Sequence, residues 1–141
     1  MLIYDKSTML EFLWIDSFNF SRHFTNKKTV LCFFYDTKLI HNSQAKGFDF
    51  AVLIQNTDDI FLSNALGAKF LLFNDKKLAK FGAKAAEFYL FDSKTLLLVK
   101  KIKNLHKAYK IGLDGVIERN CIFNFKENKI SQESLLISQS V

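Results

Sequence analysis

The chain has 141 residues, a net charge of +6, nearly half its residues apolar and no proline. Sixteen phenylalanines within that apolar share exclude disorder over most of the length. The longest apolar runs, about seven residues, fall far short of the roughly 20 that cross a bilayer. One domain with a real core is the simplest organisation.

Lysine outnumbers arginine eighteen to two, and abundant Phe, Lys, Asn and Ile without proline is what an AT-rich coding bias produces. Charge is unevenly spread. Met1 to Asp75 carries seven Lys/Arg against eight Asp/Glu, and Lys76 to Ile130 carries thirteen against five. A basic half of this kind attracts phosphate, nucleic acid or an acidic protein partner. Cys32 and Cys121 lie far apart, so no zinc or redox pair is formed and two buried, reduced thiols are expected. Met1 is followed at once by Leu2-Ile3-Tyr4-Asp5 without a basic segment, which reads as no signal peptide and a cytoplasmic protein.

In chain order, Met1 to Tyr4 reads as a short strand. After Ser7 the apolar positions Met9, Leu10, Leu13, Trp14 and Phe18 follow a helical spacing, and Phe12, Ile15 and Phe20 widen the stripe. A helix so apolar in residues 1–28 is expected to bury itself in a homodimer interface or against a sheet edge. Asn19 to Lys28 reads as a polar link.

Val30 to Tyr35 is a continuous apolar run closed by Asp36, as in a strand buried on both faces. Three times thereafter a glycine closes a helix-like segment and a hydrophobic run follows: Gly47 before Phe50 to Ile54, Gly67 before Lys69 to Phe73, and Gly112 before Gly115 to Ile117. Between these joints Thr37 to Lys46 and Thr57 to Gly67 read as helices, with Thr57, Asp58 and Asp59 as a helix start. Lys76 to Tyr89 reads as a longer helix with Leu78, Phe81, Ala85 and Phe88 inward. Gly82 inside it marks a close contact or a break. Thr95 to Val99 is a further strand, Lys101 to Ile111 a short basic helix with Ile102, Leu105 and Tyr109 inward, and Cys121 to Phe125 a last short strand.

Strands recurring at such short intervals suit right-handed parallel crossovers. A complete eight-fold barrel normally takes about 250 residues. The expected fold is therefore an α/β domain over residues 1–125 with an open, mostly parallel sheet of five or six strands and helices on both faces. Half of a (βα) barrel is the alternative. A mobile polar tail is expected at 126–141.

In such sheets ligands bind beyond the carboxyl ends of the strands. Five junctions qualify: Asp36-Thr37, Asn56-Thr57-Asp58, Asn74-Asp75, Lys100-Lys101 and Glu118-Arg119. The candidate ligand-binding residues are Asp36, Asn56, Asp75, Lys100 and Arg119. Thr57, Asp58, Asp59 and Asn74 also suit helix capping, whereas Lys100 and Arg119 are not needed for it. No glycine-rich phosphate loop, serine elbow, paired-histidine zinc helix or cysteine–histidine constellation is present, and no cofactor or metal is expected. His23, His41 and His106 have no partner at a readable spacing. The lysines between Lys94 and Lys110 could track a nucleic-acid backbone, but a solvated helix face fits them better, so nucleic acid is disfavoured.

The segment Gly112-Leu113-Asp114-Gly115-Val116-Ile117 resembles the strand openings that recur in phosphate-binding (βα)-barrel enzymes, and the likeness extends back to the joint at Gly47. The matched residues are architectural. The phosphate loop and catalytic acids of those enzymes have no counterparts here, so no family is assigned from the resemblance.

The function expected from the sequence is a binding or interaction module with a small anionic ligand at the strand ends. One alternative is an enzyme acting on a phosphorylated metabolite, with Lys100 and Arg119 on the anion and Asp36 or Asp75 as acid–base. RNA binding through the lysine-rich half is the other.

Overall fold

The computed structural model of the chain describes residues 1–18 and 28–125; the core of the expected link and the tail at 126–141 lie outside the described residues. Eight strands are seen there: β1 (Leu2–Tyr4), β2 (Glu11–Trp14), β3 (Thr29–Phe34), β4 (Asp49–Leu53), β5 (Phe70–Phe73), β6 (Lys94–Val99), β7 (Gly115–Glu118) and β8 (Ile122–Phe123). Four helices alternate with the middle strands: α1 (Thr37–Ala45), α2 (Thr57–Ala65), α3 (Lys76–Tyr89) and α4 (His106–Ile111). All strands pair in parallel in one sheet, ordered β1-β7-β6-β5-β4-β3-β2-β8.

The sheet is strongly curled. In a flat sheet β1 and β2 would stand six strand spacings apart, roughly 29 Å. Instead the ring of Tyr4 on β1 lies 5.4 Å from that of Phe12 on β2 and 5.4 Å from that of Phe70 on β5. Near the two edges the Cys121 thiol donates to the Asp5 carbonyl at 3.3 Å. The expected α/β parallel sheet is therefore present, in the half-barrel form.

Alternation along the strands explains why their sequences are apolar throughout. Leu13, Leu31, Phe33, Phe50, Val52, Leu71 and Phe73 pack against Leu39 and Ile40 of α1, Ile60 of α2 and Ala79, Ala83 and Ala85 of α3. Their neighbours Phe12, Trp14, Val30, Cys32, Leu53, Phe70 and Leu72 point the other way into an interior lined by strands and loops, with no α-helical residue among its buried members. The helices thus cover the convex face alone, where helices on both faces had been one expectation. The inside of the curl is filled by large side chains, as in small barrels.

Several sequence expectations need correction. Among the described residues the strand count is eight, since β1, β2 and β8 add to the middle five. The stretch after Ser7 is not a helix but includes β2: nearly every position is apolar, so a helical spacing can be picked out of it by chance. Phe12, Leu13, Trp14 and Ile15 are buried within the chain's own sheet, so their burial needs no second copy.

On α3 the inward stripe is Ala79, Gly82, Ala83 and Ala85, while Phe81 and Phe88 are exposed. Gly82 is a close contact and not a break. A Cβ there would stand 2.8 Å from Cε1 of the buried Phe73, so glycine lets the helix settle onto β5. Finally, α4 begins at His106 and not Lys101, and it buries Ala108 and leaves Tyr109 exposed.

At the close of each helix one residue takes the left-handed conformation. Gly47, Gly67 and Gly112 do so after α1, α2 and α4 at φ of 76°, 91° and 91°. After α3 the residue is Leu90, at φ 53°.

Candidate functional site

Because all strands run the same way, their carboxyl ends share one rim, and the five junctions all fall on it. Their side chains differ sharply in what they are already doing. Asp36 caps α1, its carboxylate accepting from the amides of Lys38 at 2.9 Å and Leu39 at 3.1 Å. Asn56 caps α2 by accepting from the Asp59 amide at 3.0 Å, and Asp75 caps α3 by accepting from the Leu78 amide at 3.2 Å. The caps are therefore Asn56 and Asp75, each one residue away from Thr57 and Asn74. These three candidates satisfy amides that a helix start otherwise leaves open.

Asp59 completes the start of α2 from the other side. It is buried, and its carboxylate accepts from the Gln55 amide at 3.2 Å. Burial holds its pKa above the usual 3.8, outweighing the amide bond that favours the charged form. The folded state then binds this proton more tightly than the unfolded chain. The Asp59 contribution to stability is complete below pH 3.8 and is lost as pH rises through the folded pKa. Wild-type protein should lose stability relative to Asp59→Asn as pH rises from 3 towards neutrality. Urea melts of both at pH 3 and pH 7 check this, and an unchanged difference counts against it.

Lys100 and Arg119 are placed by register. Val99 of β6 pairs with Glu118 of β7, so the two cations follow on neighbouring strand ends. Lys100 is exposed beside Lys101, and Arg119 is half-buried with its Nε out of solvent. Neither caps a helix. All five candidates follow consecutive strands from β3 to β7, and these two are the cations among them, on the neighbouring ends of β6 and β7.

Three cavities bear on the site. One of about 190 Å³ at the ends of β2 and β3 is lined by Asp16, Tyr35 and Asp36. A larger one of about 420 Å³ lies in the seam between β1 and β8, lined by Asp5, Lys6, Thr8, Glu11, Phe12 and Cys121 among others. The third, of about 260 Å³, is at the opposite end of the sheet beside Thr95 and Asp114. There the Asp114 carboxylate accepts from the Thr95 amide at 2.8 Å and its hydroxyl at 3.1 Å, tying β6 to the start of β7. Asn56, Asp75, Lys100 and Arg119 line none of the three. Sequence reasoning missed the seam, because its walls come from both edges of the sheet. The one local sign was Asp5-Lys6-Ser7-Thr8, a turn in which Asp5 accepts from the Ser7 amide at 2.9 Å.

The thiols are poor nucleophiles. Burial raises Cys32 far above its ordinary value and pushes Cys121 up to about 11, so both stay protonated at neutral pH. His41 and His106 are exposed on α1 and α4, and His23 lies outside the described residues. Among the described residues no group of three or more His, Cys, Asp and Glu could hold a metal ion, and no helix is long and apolar enough to cross a membrane.

No protein-family model matches the chain, and no curated protein matches it at a significant level.

Proposed function

We propose that the protein is a binding module that holds a small anionic ligand, of the phosphate or sugar-phosphate kind, beside the ends of β6 and β7. The observation carrying this reading is the register that sets Lys100 and Arg119 on adjacent strand ends, with Lys101 next in the chain. Two cations at neighbouring strand ends create a field that favours an anion, at the end of a parallel sheet where ligands ordinarily bind. The enzymatic alternative asks Asp36 or Asp75 to move protons. Both carboxylates are already oriented by helix amides, and ligand binding asks nothing of them.

The test is thermal. A ligand at a hundred times its dissociation constant adds about 2.7 kcal/mol to the folded state. Inorganic phosphate or a sugar phosphate should therefore raise the melting temperature of the wild type, and Lys100→Ala should abolish the rise. A wild type indifferent to every phosphate compound tried, or a Lys100→Ala variant that responds as fully, removes the reading.

A further inference from the structure

The convex face carries a feature that the rim does not explain. On the outer side of α2 and α3, Phe61 meets Phe81 and Tyr89 with ring centres 6.0 Å apart, and Phe88 meets Tyr89 at 4.8 Å, all nearly edge to face. These rings are left in solvent: Phe88 is 78% exposed, Tyr89 63% and the adjoining Leu90 84%. A contiguous exposed apolar patch of this kind marks an interaction surface, where a single exposed side chain would not.

Leu90 supplies a second, independent sign. It closes α3 in the left-handed conformation at φ 53° and ψ 56°, a position that glycine fills at the other three helix ends. A leucine there is strained by its Cβ and gains no burial in return. Strain retained at an exposed apolar residue indicates a use outside the folded chain.

We propose that this ridge docks an acidic segment of another protein that carries apolar side chains. Charge selects the partner. Helix α3 holds four lysines and one glutamate, and helical spacing puts Lys77 and Lys84 on the same face as Phe81 and Phe88, against one exposed acid, Asp58, a turn before Phe61 on α2. A two-fold contact between copies would set this face against itself and bring lysine rows together, which disfavours a second copy of the chain. Nucleic acid fits less well. The rings already pack against one another, and the exposed aliphatic Leu90 beside them offers bases no stacking surface. Aliphatic and aromatic side chains flanked by the lysines of α3 instead match an amphipathic helix of leucine and glutamate.

The experiment uses the full chain and a labelled synthetic peptide with leucine and glutamate at helical spacing, read by fluorescence anisotropy. A second peptide with lysine in place of glutamate and an oligouridylate are the comparisons. The glutamate peptide should bind, more weakly as salt is added, and Phe88→Ser and Leu90→Gly should each weaken it about tenfold. Leu90→Gly should melt no lower than wild type, since it removes strain, so its loss of binding is not a loss of fold. Tyr109→Ser, on α4, should bind as wild type does. The proposal is overturned if the glutamate peptide fails to bind, if the lysine peptide binds equally, if Leu90→Gly leaves affinity unchanged, or if oligouridylate displaces the peptide.

Discussion

Replacing Gly115 by alanine is expected to cost about 3 kcal/mol or more and to detach β1 from the sheet. Leu2 pairs with Gly115 across the β1–β7 ladder, and the Leu2 amide donates to the Asp114 carbonyl at 2.9 Å. A Cβ on Gly115 would run into the Leu2 carbonyl oxygen and stand 2.7 Å from the carbon that bears it. The carbonyl met is the backbone of Leu2, which cannot swing aside as the end of a side chain could. The adjoining Asp114–Thr95 bonds hold β7 in place, so β1 must give way. Urea denaturation should show the lost stability, and hydrogen exchange should show Ile3, Tyr4 and Val116 losing protection ahead of the helices. A midpoint within error of the wild type would refute the argument.

The second large effect is expected at Phe70, where alanine should cost about 3–5 kcal/mol. Its ring lies 5.4 Å from Tyr4 and 5.8 Å from Phe12, so one side chain on the central strand β5 touches strands near both edges of the sheet. Phe70 is almost wholly buried, and the surrounding strands cannot collapse onto the gap without changing the curl. Deleting the ring removes both its own transfer free energy and the contacts that hold the edges together. Phe123→Ala is the natural control: that ring is 61% exposed on β8, and its loss should cost about 0.5 kcal/mol or less. Equal losses at the two positions would mean that the interior does not organise the curl.

How much of this was legible beforehand depended on how many constraints each segment carried. The strands β3 to β7 were readable because a glycine or polar turn bounded each apolar run and the run was too short for a helix. The segment around Phe12 and Trp14 had no such punctuation, and a run apolar at nearly every position fits either period. On α3 two apolar stripes competed, one of phenylalanines and one of alanine and glycine. The small one faces inward because the buried Phe73 ring already occupies the space between helix and sheet. At the rim, parallel direction alone was enough to place Asp36, Asn56, Asp75, Lys100 and Arg119 at one end. Which of them were committed to helix amides depended on one-residue choices, Asn56 over Thr57 and Asp75 over Asn74. The seam between β1 and β8 had only the turn at Asp5 to Thr8 as a local sign, because it is made by the curl.

The pairing of β1 with β7 also bears on how the chain reaches this form. Leu2 must wait for Gly115, so during synthesis the strand at the start of the sequence leaves the ribosome long before its partner exists. Strands β3 to β6 can zip together in sequence, each onto the one before, whereas closing the β1 edge spans nearly all the intervening chain and carries the entropy of a very long loop. Until then Tyr4 has no interior to enter. The β1 edge therefore closes only after residues made far later in the chain have taken their place.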